Sequence, residues 1–140
     1  KYEITADMKE FMKDFAAGYA DMEENAKEIR KVFDDTGYLI DTHTGVAAAV
    51  YEQYKAKTGD TTKTVIASTA SPYKFSRSVM EAVFGKKEDA DEFALIDEME
   101  RISGVKIPQA IEEIRDAKIL HNRQCKPEEM EETVKQTFSK

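Results

Sequence analysis

A single short stretch limits what this chain can fold into. Thr64-Val65-Ile66-Ala67 is its strongest strand signal: β-branched, brief, and set between two helical patterns, as a strand buried in a parallel sheet reads. Lys1-Tyr2-Glu3-Ile4 reads as the end of a strand, and Lys118-Ile119-Leu120-His121 as a late one. Two or three such pieces among roughly six or seven helices are too few for a self-contained doubly wound sheet. The pattern predicts an α/β segment that is mostly helical. It is part of a three-layer helix and short-sheet arrangement whose other strands come from elsewhere. A strand at residue 2 with no turn before it carries the same expectation, that residues 1–140 are a cut segment of one larger domain.

The helices are marked by apolar spacing and by caps. Thr5 is placed to cap a first helix carrying Met8, Phe11, Met12 and Phe15. A second runs from Asp21 to Phe33, with Met22, Ala26, Ile29 and Phe33 in one stripe and Gly37 as its stop. Asp41-Thr42 precedes a third helix from His43 to Lys57, which opens on the small residues Gly45, Ala47, Ala48 and Ala49. Small residues there allow close approach by another backbone or by a ligand. Further helices are expected from Tyr73 to Phe84, closed by Gly85-Lys86-Lys87, and from Asp91 to Ser103 with Leu95, Ile96, Met99 and Ile102 inward. A shorter one opens at Ile107-Pro108. The last begins near Lys126, with Met130, Val134 and Phe138 inward.

Charge and composition exclude several functions. The chain carries a net charge of −7, and its Lys and Arg residues are interleaved with Asp and Glu rather than gathered in a stripe. Nucleic-acid phosphate is repelled by such a surface. Apolar runs such as Val46–Val50 are far short of a membrane span, and the N-terminus lacks the shape of a signal peptide. One cysteine, Cys125, cannot form an internal disulfide, so a cytoplasmic location is expected. Two histidines, His43 and His121, supply a metal cage poorly. Phosphate-binding glycine loops and the Gly-x-Ser-x-Gly nucleophile turn do not occur.

Two polar stretches stand out. Ser68, Thr69 and Ser71 follow the predicted strand at its carboxyl end, the edge where ligands sit in open α/β sheets. Such a turn either caps the helix at Tyr73 or offers hydroxyls to a ring nitrogen or an anion. Asp41-Thr42-His43-Thr44 opens the Ala-rich helix, where hydroxyls and backbone N–H groups converge. It is either a plain cap or part of the same site.

Taken together, Tyr-Leu-Ile-Asp-Thr-His-Thr at 38–44 and Ser-Thr-Ala-Ser-Pro-Tyr-Lys-Phe at 68–75 resemble the C-terminal segment of threonine synthase. The similarity extends to Asp-Glu-Phe at 91–93 and Gly-Val-Lys-Ile-Pro at 104–108. The resemblance implies a fold-type II enzyme dependent on pyridoxal 5'-phosphate (PLP), built like the tryptophan synthase β-subunit. Such an enzyme converts O-phosphohomoserine and water to L-threonine and phosphate. It implies that Thr69, with Ser68 beside it, meets the cofactor's pyridine nitrogen. His43, Thr44 and Lys74 would line the same cavity. A neutral hydroxyl at the ring nitrogen tempers the electron sink. The lysine that holds the cofactor and the Gly/Asn-rich phosphate loop belong to the family's N-terminal half, and neither is in this chain. The chain alone is therefore expected to be inactive, with its missing N-terminal part as first partner. Self-association is expected through the stripe Val46, Ala49, Val50 and the strand at 64–67. Gly45 stands where the family commonly has alanine, a small departure that puts little of the resemblance in doubt. Two other readings remain: a stand-alone acidic helical interaction module, or another fold-type II enzyme such as a serine or threonine dehydratase.

Overall fold

The structure is a computed structural model and describes residues 3–85 and 89–139. Among them are seven α-helices: α1 (Ala6–Phe11), α2 (Met22–Thr36), α3 (Thr42–Thr58), α4 (Ser76–Phe84), α5 (Glu92–Ser103), α6 (Gln109–Arg115) and α7 (Met130–Phe138). Short 3₁₀ turns at Pro72–Lys74 and Pro127–Glu129 precede α4 and α7.

Local chemistry sets the helix boundaries. Asp21 accepts from the Glu24 N–H at 2.9 Å while the Glu24 carboxylate accepts from the Asp21 N–H at 2.9 Å. This reciprocal cap satisfies two N–H groups that the first turn leaves without helical partners. Gly37 ends α2 at φ +70°, a conformation that costs other residues a clash at Cβ. The chain then turns through Leu39 and Ile40, both buried, into Asp41 and α3. The Tyr73–Phe84 helix expected from sequence is divided: Pro72–Lys74 forms the 3₁₀ turn, and α4 starts at Ser76. Gly85 follows its end as expected, whereas Lys86 and Lys87 lie outside the described residues.

One core binds α2, α3, α4 and α5. Ile29, Leu39, Ile40 and Ala48 meet Val79, Met80, Val83, Ile96 and Met99, with Tyr73 closing one side. Each helix gives the stripe its spacing dictates. Polar ties cross the same interfaces. Arg30 donates to the Val83 carbonyl at 2.8 Å, joining α2 to α4. Ser76 donates to Glu92 at 2.7 Å, joining α4 to α5. Phe33 and Phe84 meet edge to face, with centroids 5.6 Å apart. The Tyr73 hydroxyl donates to the Val105 carbonyl.

Several expectations are corrected here. The α/β reading is too generous to the sheet: among the described residues there is no strand. Residues 64–67 run as irregular chain, with Val65 95% exposed and only Ile66 packed against the core. A strand exists through the N–H and C=O groups of a neighbour, and no described segment supplies them. The same reason applies at Lys118–His121, where Ile119 and Leu120 are exposed. At the N-terminus, Glu3 and Ile4 are irregular, and Lys1 and Tyr2 lie outside the described residues. α1 is shorter than its apolar spacing suggested, and Phe11 and Phe15 are exposed. Met130, Val134 and Phe138 of α7 face outward instead of inward. An apolar stripe is buried only where another element lies against it. The stripe proposed for self-association is largely covered within the chain: Ala49 is buried, and Val46 and Val50 are half-buried.

At Gly45 the close approach expected of the small residues that open α3 is present. A Cβ built there meets Asn25 Oδ1 at 2.2 Å and Ile29 Cγ1 at 2.6 Å, so α2 and α3 approach through the missing side chain. Asn25 Oδ1 is itself buried, with no hydrogen-bond partner among the described residues. Alanine in place of glycine favours a helix by about 1 kcal/mol, whereas overpacking typically costs about 1–3 kcal/mol. Ile29 is 1% exposed and has little room to yield, so the clash outweighs the propensity. Gly45→Ala is expected to lower stability by about 1 kcal/mol in urea denaturation. An unchanged or higher midpoint would show that α2 and α3 can separate at little cost.

Candidate functional site

The two polar stretches meet in space. Asp41 precedes α3 and is 0% exposed, an unusual place for a carboxylate at a helix start. Its Oδ1 accepts from the His43 N–H at 2.8 Å and the Thr44 N–H at 3.4 Å, and lies 3.1 Å from His43 Nδ1. Its Oδ2 accepts from the Thr44 hydroxyl at 2.5 Å. Thr44 Oγ1 in turn lies 2.9 Å from Ser68 Oγ. A buried carboxylate, a buried hydroxyl and an exposed hydroxyl thus form one line from the core to the surface.

Burial pushes the Asp41 carboxyl up. The hydrogen bonds from the Thr44 hydroxyl, the His43 N–H and ring, and the Thr44 N–H outweigh it and hold the group below the ordinary carboxylate range. The amino end of α3 favours the same charge. Asp41 therefore caps the helix as a buried anion.

The remaining predicted residues are placed more loosely. Thr69 and Lys74 are exposed, and His43 lies on the surface with its ring 4.9 Å from that of Phe75. Ser71 caps the 3₁₀ turn, accepting from the Tyr73 N–H at 3.2 Å. The alternatives left open for that motif therefore divide by residue: Ser71 is the cap, and Ser68 belongs to the Asp41–Thr44 line. Sequence reading left the stretch that Asp41 opens as either a cap or part of the site, without placing its carboxylate in the interior. The signal for more was its position directly after Tyr38-Leu39-Ile40, since a cap that follows two buried residues is itself drawn inward.

The clefts lie apart from this line. A groove of about 670 Å³ opens between α2 and α4, lined by Met22, Asn25, Ala26, Thr42, Ser78 and Ala82 among others, and includes neither Ser68 nor Thr69. A smaller cleft of about 190 Å³ sits beside the turn, between Leu39, Pro72, Tyr73, Val105 and Pro108. Typical small-molecule sites enclose about 300–1,000 Å³, so the second cleft does not enclose a cofactor by itself. Size favours the groove and chemistry favours the hydroxyl line. The groove carries charged groups of its own, Glu23, Lys27, Arg30 and Glu81, but it is at the hydroxyl line that the two polar stretches meet.

Residues 44–120, just over half of the chain, match the family model described as threonine synthase, C-terminal. The chain belongs to that family. The matched region contains Thr44, Ser68, Thr69 and Lys74, and begins just after Asp41 and His43. No match is found among curated proteins. Among the described residues, no helix is long and apolar enough to cross a membrane.

Proposed function

We propose that this chain is the C-terminal part of the cofactor-binding domain of a PLP-dependent threonine synthase, acting on O-phosphohomoserine and water to give L-threonine and phosphate. The observation that carries the reading is the hydrogen bond between Thr44 and Ser68, 24 residues apart. It joins the two stretches on which the family resemblance rests, and Ser68 and Thr69 are exposed beside it. The donor set fits the ring end of PLP: exposed neutral hydroxyls, one of them oriented by a buried network. PLP, when bound, supplies an electron sink for chemistry at the substrate's carbon skeleton. Ser68 and Thr69 would hold and orient the ring at its nitrogen. His43 and Lys74, both exposed nearby in sequence, would line the approach. The phosphate loop and the lysine that holds the cofactor come, in this reading, from protein N-terminal to this segment. The same reading carries a cytoplasmic location, supported by the lone exposed thiol Cys125.

The test uses the longer polypeptide that carries this segment. It is expected to release phosphate from O-phosphohomoserine only when loaded with PLP. Thr69→Val is expected to weaken PLP retention by roughly tenfold or more, since one hydrogen bond of about 1–3 kcal/mol is lost. The 140-residue chain alone is expected to form no stoichiometric borohydride-stable adduct with PLP. PLP-independent phosphate release, or retention indifferent to Thr69→Val, would count against the proposal.

A further inference from the structure

The six residues that open α2 and α7 are near copies: Met-Glu-Glu-Asn-Ala-Lys at 22–27 and Met-Glu-Glu-Thr-Val-Lys at 130–135. In each, two apolar residues four apart begin a stripe, and a Glu and a Lys follow them by one position. One position is about 100° round a helix, so a Glu–Lys row flanks each stripe on the same side. Both rows are exposed and ion-paired within their own helix, Lys27 to Glu23 at 2.7 Å and Lys135 to Glu131 at 2.5 Å. The stripes differ in their surroundings. That of α2 gives Met22, Ala26 and Ile29 to the groove of about 670 Å³ against α4. That of α7, Met130, Val134 and Phe138, lies open, and α7 packs chiefly against the 3₁₀ turn before it. The chain thus carries a groove with an apolar wall and an uncovered apolar helix.

The flanks decide the orientation in which the two fit. Helices laid stripe to stripe bring same-sided flanks together when antiparallel and hold them apart when parallel. Antiparallel to α2, α7 sets Glu131 by Lys27 and Lys135 by Glu23. Arg30, on the same rim, adds a second cation near Glu131, against the like charge of Glu81. A polar small molecule is a poorer occupant: Asn25 Oδ1, buried without a hydrogen-bond partner, lies against Gly45 instead of opening to the groove. We propose that α7 of one copy of this chain fills the groove between α2 and α4 of a second copy, antiparallel to α2, and that the exchange is mutual. The two contacts are then equivalent under a two-fold axis, which closes the assembly as a dimer. The interface is small, and a net charge of −7 on each copy opposes it, so a Kd on the order of 0.1 mM is expected. The dimer does not depend on the cofactor reading above.

Sedimentation equilibrium of the 140-residue chain is expected to show monomer and dimer in balance. Lys27→Glu and Glu131→Lys, both at exposed positions, should each weaken the dimer by about tenfold, because each breaks two symmetry-related pairs and sets like charges together. The double variant restores opposite charges across the interface and should regain the unmutated Kd to within about threefold. A second readout uses Cys125, the single cysteine, which is exposed. A chain spin-labelled there, mixed with a ¹⁵N-labelled Cys125→Ser chain, should broaden the amide signals of Ala26 and Lys27 in the ¹⁵N-labelled copy. A chain that stays monomeric at millimolar concentration overturns the proposal. So does a dimer indifferent to both single reversals, or one that the double variant does not rescue. Broadening seen only when label and ¹⁵N share one chain means that α7 folds onto its own groove, and it overturns the proposal as well.

Discussion

Met80→Ala is expected to lower the stability of this protein by about 3 kcal/mol, within the range of 2–5 kcal/mol for such truncations in cores. Met80 is 0% exposed and belongs to the cluster where α2, α4 and α5 meet around Ile29, Val83, Ile96 and Met99. Removing three heavy atoms there forfeits apolar burial and leaves a void that the surrounding helices close only in part. Methionine is flexible, and its neighbours are long side chains, so some collapse is expected and the upper end of the range is not reached. In a chain of this size such a loss corresponds to a fall of roughly 10 °C in Tm. Urea denaturation followed by circular dichroism should show a lower midpoint with an unchanged slope. A shift below about 1 kcal/mol would mean that the four-helix cluster is not one cooperative core.

The parts of this structure legible in the sequence are those decided locally. Thr5 and Asp41 read as caps because a short polar side chain needs only its own next turn to do that work. The stripe Leu95, Ile96 and Met99 read as core because helical spacing gathers these residues on one face. Residues 64–67 failed as a strand because β-branched composition gives only a fitness for pairing, and pairing is decided by what lies alongside. Met130, Val134 and Phe138 failed for a similar reason: a stripe announces a face, not its cover. Within the candidate site, both polar stretches were visible, but their joining through Thr44 and Ser68 was not, because it depends on how α3 packs against the turn before α4. Gly45 read as a point of close approach, but its partners Asn25 and Ile29 were not legible, because they lie a helix away.

Asp41→Ala is expected to lower stability by about 2–4 kcal/mol at neutral pH, and the loss should shrink in acid. Two costs combine. The cap of α3 is removed, worth about 1 kcal/mol, and the buried Thr44 hydroxyl is left without its acceptor, worth about 1–3 kcal/mol. The pH dependence follows from the direction of the Asp41 shift. Its folded-state pKa lies below the ordinary value of 3.8, because the bonds from Thr44 and His43 overcome the opposing effect of burial. A group whose pKa is depressed by folding contributes stability that is complete above the unfolded pKa, near 4, and is lost as pH falls through the folded one. The unmutated chain should therefore lose more stability than the Asp41→Ala variant as pH falls below about 4. Glu52, Asp60 and Glu92 are also held below their ordinary values, by Lys55, Thr62 and Ser76 respectively. They are present in both proteins and cancel in the difference. Urea midpoints of the pair, compared at neutral pH and near pH 3, give the quantity directly. A difference that stays constant across that interval would mean that folding leaves the Asp41 pKa unshifted, and one that grows in acid would mean that Asp41 enters the fold without its charge.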